Sequence, residues 1–143
     1  MADAVEVAVL SALLNQAVAA LGSANIALPN VAFTPPTPTQ TASWYRATLL
    51  PADTVALGVD PDADNQHYGL LRIDVFYGQN GGELAPMRLA AAVISAFKRG
   101  TKLTKDGFEV LIWKTPFRGN AIKDDPWIII PVSIPYIAFA NPA

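Results

Sequence analysis

The chain has 143 residues, of which 52% are hydrophobic and only 15% are charged, and it contains no cysteine. This length predicts a single domain over 1–143, and the absence of cysteine excludes disulfides and thiolate metal sites. The net charge of −2 excludes a general attraction to nucleic acid or to an anionic membrane surface. A surface poor in charge favours contact with other protein.

The first predicted element is an amphipathic helix over residues 4–21. Four apolar side chains recur in it at fourfold spacing and share one face: Val5, Val9, Leu13 and Ala17. Gly22 follows the last apolar residue and suits a left-handed helix cap. The acidic start of the chain is unlike a secretory signal, so we expect the protein to be made and folded in a cytoplasm.

Residues 25–41 are rich in proline and polar residues, so an irregular segment is expected there, with at most a short edge strand at Asn30–Phe33. The next residues, Ser43–Leu50, predict a strand that Pro51 ends. Even-numbered residues of this strand face one side and odd-numbered residues the other. A long loop is expected over 51–67.

The clearest strand pattern lies at residues 68–77, where side chains alternate in character. The odd-numbered residues of this strand are mostly apolar and are expected to be buried. The even-numbered face carries Arg72 and Asp74, so we predict ion pairing across strands there, with Arg46 as a further partner of Asp74.

A second helix is predicted over 84–98, with its apolar stripe at Leu84, Met87, Ala91, Ile94 and Phe97. Two further strands are predicted at Phe108–Lys114 and Trp127–Tyr136. Because proline cannot donate a ladder hydrogen bond, Pro131 and Pro135 place the last strand at a sheet edge or at a bulge. The apolar run in this region is broken by proline and falls short of the roughly 20 residues that a membrane span needs.

The predicted order of elements is therefore α-β-β-α-β-β. The predicted fold class is α+β, with a single sheet of about four to five mostly antiparallel strands packed with two helices. No internal repeat or low-complexity tract interrupts this order.

The acidic sequence Asp60-Pro-Asp62-Ala-Asp64 matches the first three ligand positions of an EF-hand calcium loop. Asn65 stands where that loop needs glycine, and Leu71 stands where it needs glutamate, so a solvated acidic loop is the better interpretation. His67 is the only histidine, and no serine lies in a nucleophile-elbow sequence. We therefore predict no catalytic residue, no cofactor and no metal site, and a protein that is not an enzyme.

The one basic cluster of the sequence consists of Lys98, Arg99, Lys102 and Lys105. Lys98 and Arg99 would offset the dipole at the end of the second helix. Alternatively, the cluster faces an acidic neighbour, such as the Asp60–Asp64 loop of another copy of the chain. DNA is a weaker candidate, because no aromatic platform accompanies the charges. A contact between loop and cluster would be head-to-tail, the type that closes into a ring when the rotation permits.

Four sequence blocks occur in one order: Trp44-Tyr-Arg-Ala-Thr-Leu-Leu-Pro51, Tyr68-Gly-Leu-Leu-Arg-Ile-Asp-Val-Phe-Tyr77, Phe97-Lys-Arg-Gly-Thr101 and Trp127-Ile-Ile-Ile-Pro-Val-Ser-Ile-Pro-Tyr136. With this series the chain resembles the tail terminator, or tail completion, proteins of tailed phages of the siphophage type. The resemblance covers residues from about Phe33 to Ala138. Arg72 departs from it, since a neutral polar residue is expected at that position.

The resemblance implies a tail-terminator-like α+β subunit that assembles as a homo-oligomer, a hexameric ring. The ring would cap the head-proximal end of a long non-contractile tail tube, stop tube polymerisation and form the joining surface for the head connector. The implied partners are the tail tube protein and the head-completion or connector protein, with DNA only passing through the lumen and no membrane. The implied location is the neck region of the virion tail, after assembly in the cytoplasm of the bacterial host.

The predicted contacts with other subunits or partners lie on the polar strand face, in the acidic loop, after the second helix and at the start of the last strand. They are Arg46, Asp60, Asp62, Asp64, Arg72, Asp74, Lys98, Arg99, Lys102 and Trp127. The sequence does not say which of them meets which partner.

Two other classes of function stay open. Another neck or tail component, either a head–tail stopper or a tube subunit, fits the same features. A tube subunit polymerises without limit, whereas a terminator stays monomeric or forms closed rings. A small ligand-binding or enzymatic domain would need a deep pocket lined by convergent polar groups.

Overall fold

The computed structural model describes residues 5–61 and 63–140 of the chain. The elements of the described part, in chain order, are α1 (Val5–Leu21), a 3-10 helix (Ser23–Asn25), β1 (Ile26–Ala27), β2 (Ser43–Pro51), β3 (Val55–Ala56), β4 (Asn65–Gly78), α2 (Leu84–Ala96), β5 (Lys102–Lys105), β6 (Phe108–Leu111), β7 (Phe117–Arg118), β8 (Ile122–Asp124) and β9 (Trp127–Ala140). Asp62, one of the predicted contact residues, lies outside the described residues, as does residue 4 of the predicted first helix.

The strands of the described part form one nine-stranded sheet, whose main order is β1-β2-β4-β9-β6-β5. β1 pairs parallel with β2, and the other pairings are antiparallel. The two central strands, β4 and β9, have 14 residues each. They stay in register from Asn65 opposite Ala140 to Gly78 opposite Trp127. Most of the shorter strands pair directly with one of these two strands.

The α+β class, the two helices and the four main predicted strands are confirmed, but the predicted number of four to five strands is wrong. Most of the missed strands have only two or three residues, which is too short for a period of two to show in the sequence. β5 was missed because its exposed positions are polar. The strand considered at Asn30–Phe33 does not form, because Asn30 adopts a turn conformation with φ of 55°.

The inner face of the sheet is covered by both helices and forms the main core. Helix α1 buries its predicted face, through Ala8, Val9, Ala12, Leu13 and Ala17. The odd-numbered β4 residues Leu71, Ile73 and Val75 lie in the same cluster without exposed surface, as their alternation predicted. Gln16 Nε2 donates a hydrogen bond of 2.9 Å to the Ala96 carbonyl, which joins the two helices above this core.

The apolar stripe predicted for helix α2 is only partly correct. Met87 and Ile94 pack against the core as predicted, whereas Ala91 is exposed, and the helix also turns a neighbouring face inward. Its buried residues are Pro86, Ala90 and Val93, and Phe97 is buried just beyond its end. The assignment of Leu84 to the apolar stripe is wrong, because Leu84 is 69% exposed. Neither helix of the described part is long and apolar enough to cross a membrane.

The two prolines of β9 do not place this strand at a sheet edge, so the edge alternative is wrong, whereas the ladder on the side away from β4 is irregular at Pro131, as the bulge alternative expected. The Gly119 amide donates to the Pro131 carbonyl at 2.8 Å, so the polar groups of Pro131 point away from β4. Pro135 lies four residues further on and therefore faces the same way. On that side the partner of β9 is divided into β8, β7 and β6, and the prolines fall in the breaks. The long pairing with β4 is left intact.

The outer face of the sheet has a smaller core of its own. Trp44, Phe76, Trp127 and Ile129 are buried there, and Phe33 from the proline-rich segment packs against them. The rings of Trp44 and Phe76 are stacked with centroids 3.9 Å apart, and Trp127 meets Trp44 edge-on at 6.1 Å. The irregular segment between β1 and β2 thus acts as a cover for one end of the outer face.

Candidate interaction surfaces

A buried carboxylate anchors two arginines at the centre of the outer face. Asp74 lies directly opposite Arg46 in the pairing of β2 with β4, and its side chain is only 2% exposed. Arg46 Nη2 donates to Asp74 Oδ2 at 2.8 Å, and Arg72 Nε donates to Asp74 Oδ1 at 2.8 Å. The predicted ion pairing is confirmed. Because two guanidinium groups share one carboxylate, this group presents a net positive charge to solvent.

The aromatic cluster packs against one side of this charged group. The Arg46 guanidinium carbon lies 5.0 Å from the centroid of the Phe76 ring, within the range of a cation–π contact. Trp127, a predicted contact residue, is buried in this cluster, so little of its side chain is available to a partner. Trp44 Nε1 is buried without a hydrogen-bond partner in the described part of the chain. The outer face is therefore closed at its aromatic end and charged at its centre.

Residues 52–64, which connect β2 to β4, form a projecting hairpin that we call the acidic arm. Its β3 pairs with the first residues of β4, and the Leu57 amide donates to the Asp64 carbonyl at 3.0 Å. The long loop predicted here is thus partly a hairpin. The arm contains four aspartates and no lysine or arginine. The predicted contact residues Asp60 and Asp64 are exposed on it.

The acidic arm also carries a row of exposed apolar side chains. Val55, Leu57 and Val59 are 41%, 53% and 107% exposed. Val55 lies in β3, and Leu57 and Val59 follow it in the bend of the hairpin, so the three side chains are close together in sequence on the arm. Every residue from Pro51 to Pro61 is exposed, so the arm stands away from the core. Grouped apolar side chains of this kind mark interaction sites on soluble proteins.

The opposite edge of the sheet is basic. Lys98, Arg99 and Lys102 are exposed in the turn after α2 and at the start of β5. Helix α2 ends at Ala96, so these charges extend past the helix terminus. Gly100 has a φ of 92°, which turns the chain into β5 in a conformation that suits glycine. Lys105, the fourth member of the predicted cluster, lies three residues after Lys102 on β5 and is only partly exposed.

An exposed tryptophan lies beside these cations. The Gly100 amide donates to the Ile112 carbonyl at 2.7 Å, which brings the neighbouring Trp113 close to the turn. Trp113 is 38% exposed, and Lys114 Nζ lies 4.4 Å from the centroid of its ring. We call the surface formed by these residues the basic edge: Lys98, Arg99, Lys102, Trp113 and Lys114.

The acidic arm and the basic edge lie on opposite sides of the central strand pair. The arm joins β4 through β3, whereas the basic edge lies on β5 and β6, beyond β9. Three strand spacings, or about 14 Å, separate β3 from β6. Taking the four negative charges of the arm from the net charge of −2 leaves +2 on the rest of the chain. The molecule therefore has two complementary surfaces that do not face each other.

A groove of about 570 Å³ opens between α1 and the base of the acidic arm, with mainly apolar side chains on its walls. Tyr136 lies in it, and burial raises the pKa of the Tyr136 phenol. His67 Nδ1 is 3.4 Å from Thr54 Oγ1, and His67 Nε2 is buried without a partner in the described part of the chain. Within the described part of the chain no third group orients the imidazole, so the pair lacks the arrangement of a catalytic nucleophile and base there.

Within residues 5–61 and 63–140, no three histidine, aspartate or glutamate side chains are grouped so that they could hold a metal ion. The sequence interpretation also missed functional candidates, namely the apolar row of the arm and the pair Trp113 and Lys114. The alternation in Val55-Ala-Leu-Gly-Val59 was the available signal for the row. It was hidden by the surrounding prolines and aspartates, which favour a loop.

Comparisons with known proteins found one matching family model and a similar solved structure. A family model described as phage tail terminator protein matches residues 4–136. A solved structure that is 22% identical has a TM-score of 0.71, over 97% of this chain and 96% of that chain. Similarity at this level of identity shows a shared fold. No curated protein matches the chain.

Proposed function

The chain belongs to the phage tail terminator family, and from this premise we propose that it closes the head-proximal end of a long non-contractile tail tube. As a hexameric ring it stops tube polymerisation there and forms the joining surface for the head connector. Its partners are further copies of the chain, the tail tube protein and the connector protein, while DNA passes through the lumen. It acts in the neck region of the virion, after assembly in the host cytoplasm.

The observation that carries this proposal is the placement of the acidic arm and the basic edge on opposite sides of the sheet. Two different surfaces that complement each other join copies head-to-tail. Such contacts continue from copy to copy until the rotation closes a ring. A closed ring has no free arm and no free edge, so it stops growing by itself. This property suits a component that ends a polymer.

The outer face supports a second type of contact. The group of Arg46, Asp74 and Arg72 faces away from both helices and presents two half-exposed guanidinium groups at fixed positions. We assign it to the tube or the connector, since ring neighbours already use the two edges. Replacement of Arg72 by Gln keeps the Arg46–Asp74 pair. Head joining at the wild-type level in this variant, measured by counting complete particles, would restrict the group to a structural role.

Tail length tests the proposed function most directly. Particles made without this protein should carry overlong tails that lack heads, measured by negative-stain electron microscopy. Tails of normal length that fail to join heads would identify a head–tail stopper instead. Complete absence of tails would identify a tube subunit or an initiator.

Charge reversal tests the head-to-tail contact. The double variant Arg99→Glu/Lys102→Glu should give no rings and overlong tails, because it opposes the acidic arm with further negative charge. The matched control is Lys123→Glu, since Lys123 is exposed on β8 and outside the basic edge. Rings are observed by electron microscopy and their mass by light scattering. Normal rings and normal tails in the double variant would exclude this contact.

A further inference from the structure

The apolar row of the acidic arm identifies what the arm binds. We propose that Val55, Leu57 and Val59 of one copy seat on Trp113 of the next copy, while the negatively charged arm faces the cations of the basic edge. This inference rests on the proposed function, because it specifies the contact through which the ring closes.

The arm is prepared for such a contact before it meets a partner. The Leu57 amide donates to the Asp64 carbonyl, and the Ala63 amide donates to the Asp60 carbonyl, both at 3.0 Å. These hydrogen bonds hold the hairpin in shape, so less conformational freedom is lost on binding. Val59 is fully exposed and Leu57 more than half exposed, so the described residues leave most of the apolar row uncovered.

The basic edge has the composition expected of a surface that binds another protein molecule. Trp113 supplies a large, partly exposed ring, and tryptophan is one of the side chains enriched at the energetic centres of protein interfaces. Lys114 lies against the ring, and Lys98, Arg99 and Lys102 are exposed beside it. An apolar centre with a charged rim is the arrangement of a specific protein contact.

The charges select a second copy of this chain as the occupant. The arm carries only negative charges and the basic edge carries four cations, of which Lys114 contacts Trp113. Arm and edge therefore attract each other, whereas two arms or two edges repel each other. The arm cannot serve the edge of its own molecule, because they lie on opposite sides of the β4–β9 pair. Every copy offers one arm and one edge, so each contact leaves one of each for the next copy.

Cross-linking within assembled tails tests this contact. The chain has no cysteine, so Ala56→Cys on the arm and Thr115→Cys beside the basic edge introduce two unique and exposed thiols without removing a contact residue. Treatment with a short bis-maleimide should produce a ladder of covalent oligomers on a denaturing gel. The matched control combines Ala56→Cys with Ala32→Cys, which is exposed in the cover of the outer face, and should give no ladder.

The outcomes separate this inference from the proposed function. A ladder in the first variant alone establishes the contact between arm and edge. Tails of normal length with no ladder, or with equal ladders in both variants, overturn the contact while tube termination stands. If particles made without the protein have tails of normal length, termination itself is wrong, whatever the gel shows.

Discussion

β4 is one continuous strand whose two halves differ in role. In its second half, Leu71–Gly78, most residues are buried between the helices and the outer-face cluster. In its first half, Asn65–Leu70, every residue is only partly buried, and β3 of the acidic arm is attached there. If the arm contacts the next copy as proposed, stability and assembly are separated along this one strand. Substitutions in the second half should therefore act on folding, and substitutions in the arm should act on assembly.

The largest effect on stability is expected in the second half of β4. Ile73→Ala removes a side chain with no exposed surface, and should lower the free energy of unfolding by about 4 kcal/mol because a cavity remains. Leu70→Ala, in the first half of the same strand, should cost about 1 kcal/mol. Urea unfolding followed by tryptophan fluorescence measures both. Equal losses of unfolding free energy in the two variants would contradict the expected difference between the two halves of β4.

A smaller loss of stability is expected when the charged group of the outer face is disrupted. Asp74→Asn keeps the shape of the side chain but removes the negative charge of the carboxylate, whose two oxygens accept hydrogen bonds from Arg46 and Arg72. The expected cost is about 2 kcal/mol, since hydrogen bonds to charged groups contribute about 1.5–3 kcal/mol and both arginines are half-exposed. Asp124→Asn, an exposed site on β8, is the control and should change nothing. An unchanged urea midpoint for Asp74→Asn would show that the pairing does not stabilise the fold.

The next effect appears only at alkaline pH. Burial raises the pKa of Tyr45 and Tyr136 above the usual 10.0, so the folded chain holds these phenol protons more tightly than the unfolded chain does. Stability should be constant up to about pH 10 and fall as the pH rises further through the folded pKa values. In Tyr45→Phe/Tyr136→Phe this decline should be weaker. Melting temperatures measured between pH 8 and pH 11, about the range that tyrosine titration covers, test this.

The smallest change in stability is expected in the arm, together with a complete change in assembly. Leu57→Ser/Val59→Ser alters two exposed side chains, so the free energy of unfolding should move by less than about 0.5 kcal/mol. Rings should be lost and tails overlong, because the apolar row is gone. Val31→Ser, an exposed apolar site outside the arm, is the control. A destabilised arm variant, or one that still forms rings, would contradict the comparison between the two halves of β4.

Much of the structure around the second half of β4 was predictable from the sequence. The alternation in β4 assigned Arg72 and Asp74 to one face, and the aromatic, β-branched strand before it assigned Arg46 to the same face. The ion pairing followed from these two assignments. Helix α1 was predictable too, because its apolar residues keep one spacing over four turns.

The assembly surfaces were only partly predictable. Lys98, Arg99 and Lys102 are close in sequence, so their cluster was visible, but Trp113 joins them only through the pairing of β6 with β5. Strand order decides that the arm and the basic edge lie on opposite sides of the sheet, and strand order depends on contacts between distant residues. Two prolines in β9 suggested an edge strand. They are tolerated inside the sheet because their missing amides face the breaks between three short partners.

The terminal strands of the sheet are short, and this limits how free copies of the chain can pair with one another. Long open strands invite uncontrolled stacking of one molecule on another. Here the terminal strands are β1 with two residues and β5 with four, and β5 carries a lysine at each end. The part of β2 that extends beyond β1 ends at Pro51, which has no amide hydrogen to donate. These features leave little open backbone at the two terminal strands for another copy to pair with.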